Sequence, residues 1–302
     1  MELNRLLDKK LTPEHKRKFE RDKDKFKTLN IIIILPIITA ILGVFMESIV
    51  LVTASLVIII VCLLFVAFST KSRNVIYEEM IIPIVLQERF RDCEPLKKDL
   101  DVENEFDMSG LGKEYSRFED RNSFLIHEDR YTISISKIVT KNKKIQDEEN
   151  EDYKEFVKSF SGVFAYFRLP RNIDIDIEVK ENYKTKNQIT QIDKTDVERV
   201  IMNNIEFDTQ YDVRASDPAV ARKILSIGVM ARILEINRKL GRVINFSRKN
   251  NTLFILVDYD EFLEFSSSKK NEYVNEEKAN ENMDVVEIID YFARYMVNLT
   301  EI

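Results

Sequence analysis

FDTQYDVRASDPAVARKILSIGVMARILEINRKLGRVINFSRKNNTLFILVDY, residues 207–259, carries the local grammar that decides the fold. It reads as strand, helix, strand, turn, strand. Asp217 is placed to cap the helix, Pro218 suits its first position, and Gly241 suits the left-handed residue just past its end. Val220, Ile224, Ile227, Ala231 and Leu234 share one helical face, which Leu225, Ile233 and Ile236 widen, so that face must pack on a sheet. Asn250 and Asn251 tolerate turn conformations and separate VINFS from LFILV as in a hairpin.

Working upstream, YTISISKIV alternates Tyr131, Ile133 and Ile135 with small polar residues, and VFAYFRL is rich in aromatics. NIDIDIEVK sets Ile173, Ile175, Ile177 and Val179 against acids. Such alternation predicts half-buried antiparallel strands. The charged run from Lys141 to Asp152 reads as an exposed loop leading into a short helix through Phe156 and Phe160. Residues 91–122 read as polar linker, because the Gly-x-Gly of SGLGKEYSR follows no strand and so makes no phosphate loop. Downstream, residues 266–282 read as loose chain. Val285, Ile288, Ile289, Phe292, Tyr295, Met296 and Leu299 then form a helical stripe that closes the core.

The hydrophobic residues are concentrated further towards the N-terminus, in residues 29–69, where Glu47 is the one charged side chain. As one helix this block would run about 60 Å against a hydrocarbon core of about 30 Å, so it predicts two spans, 29–45 and 49–69, broken at Met46, Glu47 and Ser48. Residues 1–28 hold ten Lys or Arg against six Asp or Glu, and Lys71 and Arg73 follow the block. That asymmetry predicts a multi-pass protein of the inner or plasma membrane with both termini cytoplasmic. The domains expected are a basic leader (1–28), a transmembrane hairpin (29–70), a juxtamembrane helix with polar linker (71–122) and a cytoplasmic α+β domain (123–302). The fold class is α+β, an N-terminal transmembrane helical hairpin followed by a mostly antiparallel sheet with packed helices.

The combined pattern resembles a bacterial family of two-span membrane proteins known only as a domain of unknown function. The resemblance rests on the hairpin, YEEMIIPIV, IHEDRYTISISKI, FSGVFAYFRL and above all EFDTQYDVRASDPAVARKILSIGVMARIL followed by INFSRKNNTLFILV. Phe207, Val213, Asp217, Ala221 and Leu225 fall where that family places an aromatic, an apolar strand residue, the helix-opening acid, an alanine and an apolar residue. Thr-Pro often stands before the middle of the helix in that family; here Ser226 and Ile227 stand instead. The resemblance implies no reaction. Its members are often encoded near small membrane-anchored helical proteins, which implies a protein partner.

Charge and composition narrow the function. The net charge is −6, and the leader's +4 leaves −10 on the remainder, which repels nucleic-acid phosphates. With His15, His127, Cys62 and Cys93 as the only residues of their kinds, neither a zinc site nor a disulfide framework is expected. No cofactor is expected either. Asp174 with Asp176, and Asp258 with Asp260, are spaced to project from one strand face, where carboxylates can hold a divalent ion or simply meet solvent. His127 offers a general base without a nucleophile beside it. These features predict a membrane-tethered, non-enzymatic binding, scaffold or regulatory module of the cytoplasmic face. The expected partners are the lipid bilayer and a membrane protein or further copies of the chain. The alternative is a carboxylate-metal hydrolase at the membrane face.

Overall fold

The computed structural model describes residues 2–46, 48–90, 92–96, 101–144, 155–170, 175–182, 197–267 and 272–299. The chain divides into two units, Met1–Glu88 with Ser266–Glu276, and Arg89–Phe265 with Glu277–Ile302.

The first unit is helical: α1 (Glu2–Lys10), α2 (Pro13–Phe45), α3 (Ile49–Ile76), a π-helical turn (Tyr77–Ile81) and α4 (Ile82–Arg89), whose last residue opens the second unit. Thr12 caps α2 by accepting from the His15 N–H, and Pro13 takes its first position. The expected leader is folded rather than solvated. Leu7, Leu11 and Phe19 are buried, and the Phe19 ring meets Tyr273 at 5.2 Å. The Asn4 side chain donates to the Val274 carbonyl at 3.0 Å, and Lys23 donates to the Glu272 carbonyl at 2.8 Å. Residues read as loose chain thus give α1 and α2 their anchor, with Ser266 bridged to Val274.

The transmembrane hairpin requires correction. α2 ends at Phe45 and α3 begins at Ile49, and the Thr39 and Ser55 hydroxyls link the two helices at 2.9 Å. Among the described residues, however, no helix is long and apolar enough to cross a membrane. A span needs about 20 consecutive apolar residues. The first half of α2 carries charged residues. This finding overturns the spanning hairpin in the expected fold class, and with it the multi-pass membrane localisation.

Among the described residues the second unit holds nine strands: β1 (Cys93–Pro95), β2 (Arg117–His127), β3 (Thr132–Lys144), β4 (Glu155–Arg168), β5 (Ile177–Glu181), β6 (Glu198–Arg199), β7 (Tyr211–Ala215), β8 (Ile244–Lys249) and β9 (Thr252–Asp258). They form one sheet in the order β1-β2-β3-β4-β9-β8-β5-β7-β6, every pairing antiparallel. The expected mostly antiparallel sheet with packed helices is therefore present. On one face lies α5 (Val102–Ser109), whose Val102 and Phe106 join Leu111, Ile138, Phe164, Phe254 and Leu256 in a buried cluster. On the other, Phe246 meets Phe292 of α9 (Glu276–Leu299) edge-on at 5.2 Å, and Tyr131 donates to Asp290 at 2.8 Å. The C-terminal stripe closes this core through Val285, Ile289, Phe292 and Met296.

Between β6 and β8 stand α6 (Ile205–Gln210), α7 (Pro218–Ile224) and α8 (Ile227–Leu240). The expected single helix is thus broken at Leu225 and Ser226, where burial of Leu225 at the end of α7 turns the chain and Ser226 restarts it. Asn237 of α8 secures the next strands: its amide donates to the Tyr211 hydroxyl at 2.6 Å and its carbonyl accepts the Ile244 N–H at 3.1 Å. Asp217 caps α7, its Oδ1 accepting from the Ala219 and Val220 N–H groups at 2.8 and 3.1 Å. Asp217→Ala is expected to cost about 1 kcal/mol in urea denaturation and Asp217→Asn far less, because Asn restores the acceptor. Equal losses in both would sink the capping account.

Two further sequence readings fail in this unit. Phe156 and Phe160 lie on β4, not on a helix, because Phe156 pairs with Lys143 and Phe160 with Thr140 in the long β3–β4 ladder. Residues 102–109 of the expected linker are helix α5, started by Asp101 accepting from the Asn104 N–H and ended by Gly110 at φ +66°. Gly112 is needed for packing: a Cβ there would lie 2.4 Å from the Phe106 ring.

Candidate functional site

Side chains of a strand alternate between faces, so the pairings of β8, β5, β7 and β6 decide which charges meet. Arg199 pairs with Arg214, Arg214 with Glu178, Glu178 with Ser247, and Lys180 with Asp212. All of these, together with Lys249, project from the face that carries α5. The opposite face of the same strands is mostly apolar, with Val179 against Val213 and Phe246, and Ile177 against Ala215 and the buried Arg248. One strand thus anchors the core and displays charge.

Glu178 is the centre of this face. Only 4% of its side chain is exposed, and Lys180 and Lys249 each place Nζ 3.0 Å from it. Burial pushes the carboxyl up, but the two ammonium groups outweigh it and hold it below the usual carboxylate range. The end of α5 closes over this group: the Ser247 hydroxyl donates to the Ser109 carbonyl at 2.6 Å, and Gly110 follows. A Cβ on Gly110 would stand 2.7 Å from both Glu178 Oε1 and Lys249 Nζ, so the approach requires glycine.

One strand further out, Asp212 lies between two guanidiniums. Its Oδ1 is 2.8 Å from Arg199 Nε and its Oδ2 is 3.4 Å from Arg214 Nε. The Arg199 side chain is 52% exposed and that of Arg214 is 29% exposed. The arrangement offers pre-positioned hydrogen-bond donors of fixed positive charge at the end of the sheet. Such donors suit recognition of an anion.

The residues singled out in the sequence are dispersed. Phe207 and Val213 are buried, Phe207 against the Tyr211 ring at 4.7 Å, and Ala221 and Leu225 are buried at α7. With the Asp217 cap, these five residues hold α6 and α7 to β7. Asp174 lies outside the described residues. Asp176 sits at the margin of the charged face, its N–H bonded to the Ser216 hydroxyl at 3.1 Å. Asp258 ends β9, its carbonyl accepting from Arg242 at 3.2 Å, while Asp260 pairs with Lys158. His127 lies at the far edge of the sheet, 3.0 Å from the Thr132 hydroxyl and 3.3 Å from Glu94. Among the described residues no group of three or more His, Cys, Asp or Glu is placed to hold a metal ion. The signal that could have found the charged face was present in IDIEVKE: Asp176, Glu178 and Lys180 share the phase opposite to the buried Ile177 and Val179.

No curated protein matches the chain. Among solved structures, the crystal structure of the mycobacterial trehalose monomycolate transport factor A, TtfA, aligns with 59% of this chain and 75% of that chain. The identity is 8% and the TM-score 0.33, too low a likeness to carry an argument. The stretch from β4 to α9, which includes the whole charged face, does find a counterpart. A domain of the family described as a protein of unknown function (DUF3137) covers residues 158–294.

Proposed function

We propose that the protein is a non-enzymatic binding and scaffold module whose ligand seats on the charged face of β5, β7 and β6. The observation that carries this reading is the buried carboxylate of Glu178 between Lys180 and Lys249, beside the two arginines that share Asp212. Strand side chains held by cross-strand pairs keep their positions before a ligand arrives, which lowers the entropy cost of binding. A protein partner, of this chain or another, is supported by the first unit, where Ile37, Ile41, Val44, Phe45, Val57 and Val61 are exposed on α2 and α3.

Native mass spectrometry of the full-length protein tests the reading. A stoichiometric small anion or protein should be retained at low ionic strength, and the anion should be lost as salt rises. A bare chain whose melting temperature responds to no anion would overturn it.

A further inference from the structure

The two arginines at the end of the sheet stand in an unusual relation. Arg199 of β6 and Arg214 of β7 are direct cross-strand partners, and like charges placed so oppose pairing. Asp212 relieves part of that cost: its Oδ2 accepts from Arg214 Nε and its Oδ1 forms an ion pair with Arg199. Both contacts with Asp212 run through Nε, and the Arg199 and Arg214 side chains remain 52% and 29% exposed. Lys180 is the direct partner of Asp212 on the adjoining strand and is already drawn towards Glu178. Four cations, Lys180, Lys249, Arg199 and Arg214, therefore share two carboxylates, Glu178 and Asp212, with Asp176 at the margin of the same face.

We propose that Arg199 and Arg214, with Lys180 beside them, bind a phosphate-class dianion such as a phosphomonoester. This rests on the reading of the sheet unit as a binding module and names its ligand. The sign of the charge fits, because a phosphomonoester carries about −1.5 to −2 at pH 7 and the cations Lys180, Lys249, Arg199 and Arg214 outnumber the acids Glu178, Asp212 and Asp176 of this face. The donor geometry fits as well. Planar guanidinium forks match phosphate oxygens in bidentate fashion, whereas an ammonium acts as a point charge, so the arginines give orientation and Lys180 adds attraction. The ligand would also remove the repulsion between Arg199 and Arg214, and its binding would stabilise the β6–β7 edge.

The test uses the full-length protein in calorimetric titration and thermal melting against inorganic phosphate, glycerol phosphate, citrate and chloride at matched ionic strength. Inorganic phosphate and glycerol phosphate should bind saturably with one site and raise the melting temperature, and chloride should do neither. The Arg199→Gln, Arg214→Gln double variant should weaken phosphate binding at least tenfold. The Arg199→Lys, Arg214→Lys variant keeps the charge while losing the fork, and should fall between; it also supplies the comparison if the glutamine variant does not fold. Phosphate binding unchanged in the variants would overturn the assignment to these residues. Citrate binding that is lost in the variants, without phosphate binding, would overturn the phosphate class and leave the binding module standing. No binding of any anion would remove both.

Discussion

Phe164→Ala is expected to lower the unfolding free energy of the sheet unit by about 3 to 5 kcal/mol. Phe164 is fully buried on β4 and is where α5 and the sheet meet. Its ring lies edge-on to Phe106 at 5.3 Å and is stacked with Phe254 at 6.2 Å, so truncation removes the contact on both sides at once. Gly162, two residues earlier on the same face, lies closely packed against β9 and the Phe160 ring. A Cβ there would already be 2.2 Å from the Val257 carbonyl. Urea denaturation followed by tyrosine fluorescence reads the effect, and Phe164→Leu should cost much less. A Phe164→Ala protein within about 1 kcal/mol of wild type would mean that the helix does not depend on this cluster.

Glu178→Gln is expected to cost about 2 to 3 kcal/mol at pH 7. Removing one partner of a buried ion pair typically costs about 3 to 5 kcal/mol. The estimate here is lower because the Lys180 and Lys249 side chains remain 29% and 27% exposed, and water can take up part of their charge. The pH dependence separates the ion pairs from simple packing. Because the Glu178 carboxyl is held below its unfolded value of about 4.5, its stabilisation is complete above that pH and is lost as pH falls through the lower folded value. The stability gap between wild type and Glu178→Gln should therefore narrow from pH 5 to pH 3 in denaturant titrations. A gap that stays constant over that range would assign the cost to packing and hydrogen bonding instead.

Parts of this fold are legible because one residue's backbone or side chain settles them. Asp217 and Pro218 open α7 at the expected place, Gly241 closes α8 at φ +66°, and Asn250, at φ 55°, turns β8 into β9. Alternation along residues 131–139 likewise marks β3. Reading by segment fails where partners distant in sequence decide. Phe156 and Phe160 are spaced as a helix turn allows, yet β3 supplies hydrogen-bond partners along their whole length and wins. Residues 102–109 look polar because a helix seated on a sheet needs only a narrow apolar stripe, here Val102 and Phe106.

The candidate site shows the same division more sharply. The sequence supplied the phase of Asp176, Glu178 and Lys180, but side chains opposite a buried row look alike whether they meet solvent or one another. Acids two apart on one strand suggested a divalent ion; the structure places Lys180 and Lys249 beside Glu178 and Lys158 beside Asp260.

What the sequence determined by itself is local: where α7 starts, where α8 stops, where the hairpin turns, and which strand residues face inward. These follow from dihedral preferences and from side-chain periods fixed within a few residues. What only the tertiary structure decided is which strands are neighbours and in what register, since that depends on pairing energies between segments far apart in the chain. Arg214 reaches Arg199 across one strand boundary and Glu178 across the other, and no spacing along the sequence brings those three together.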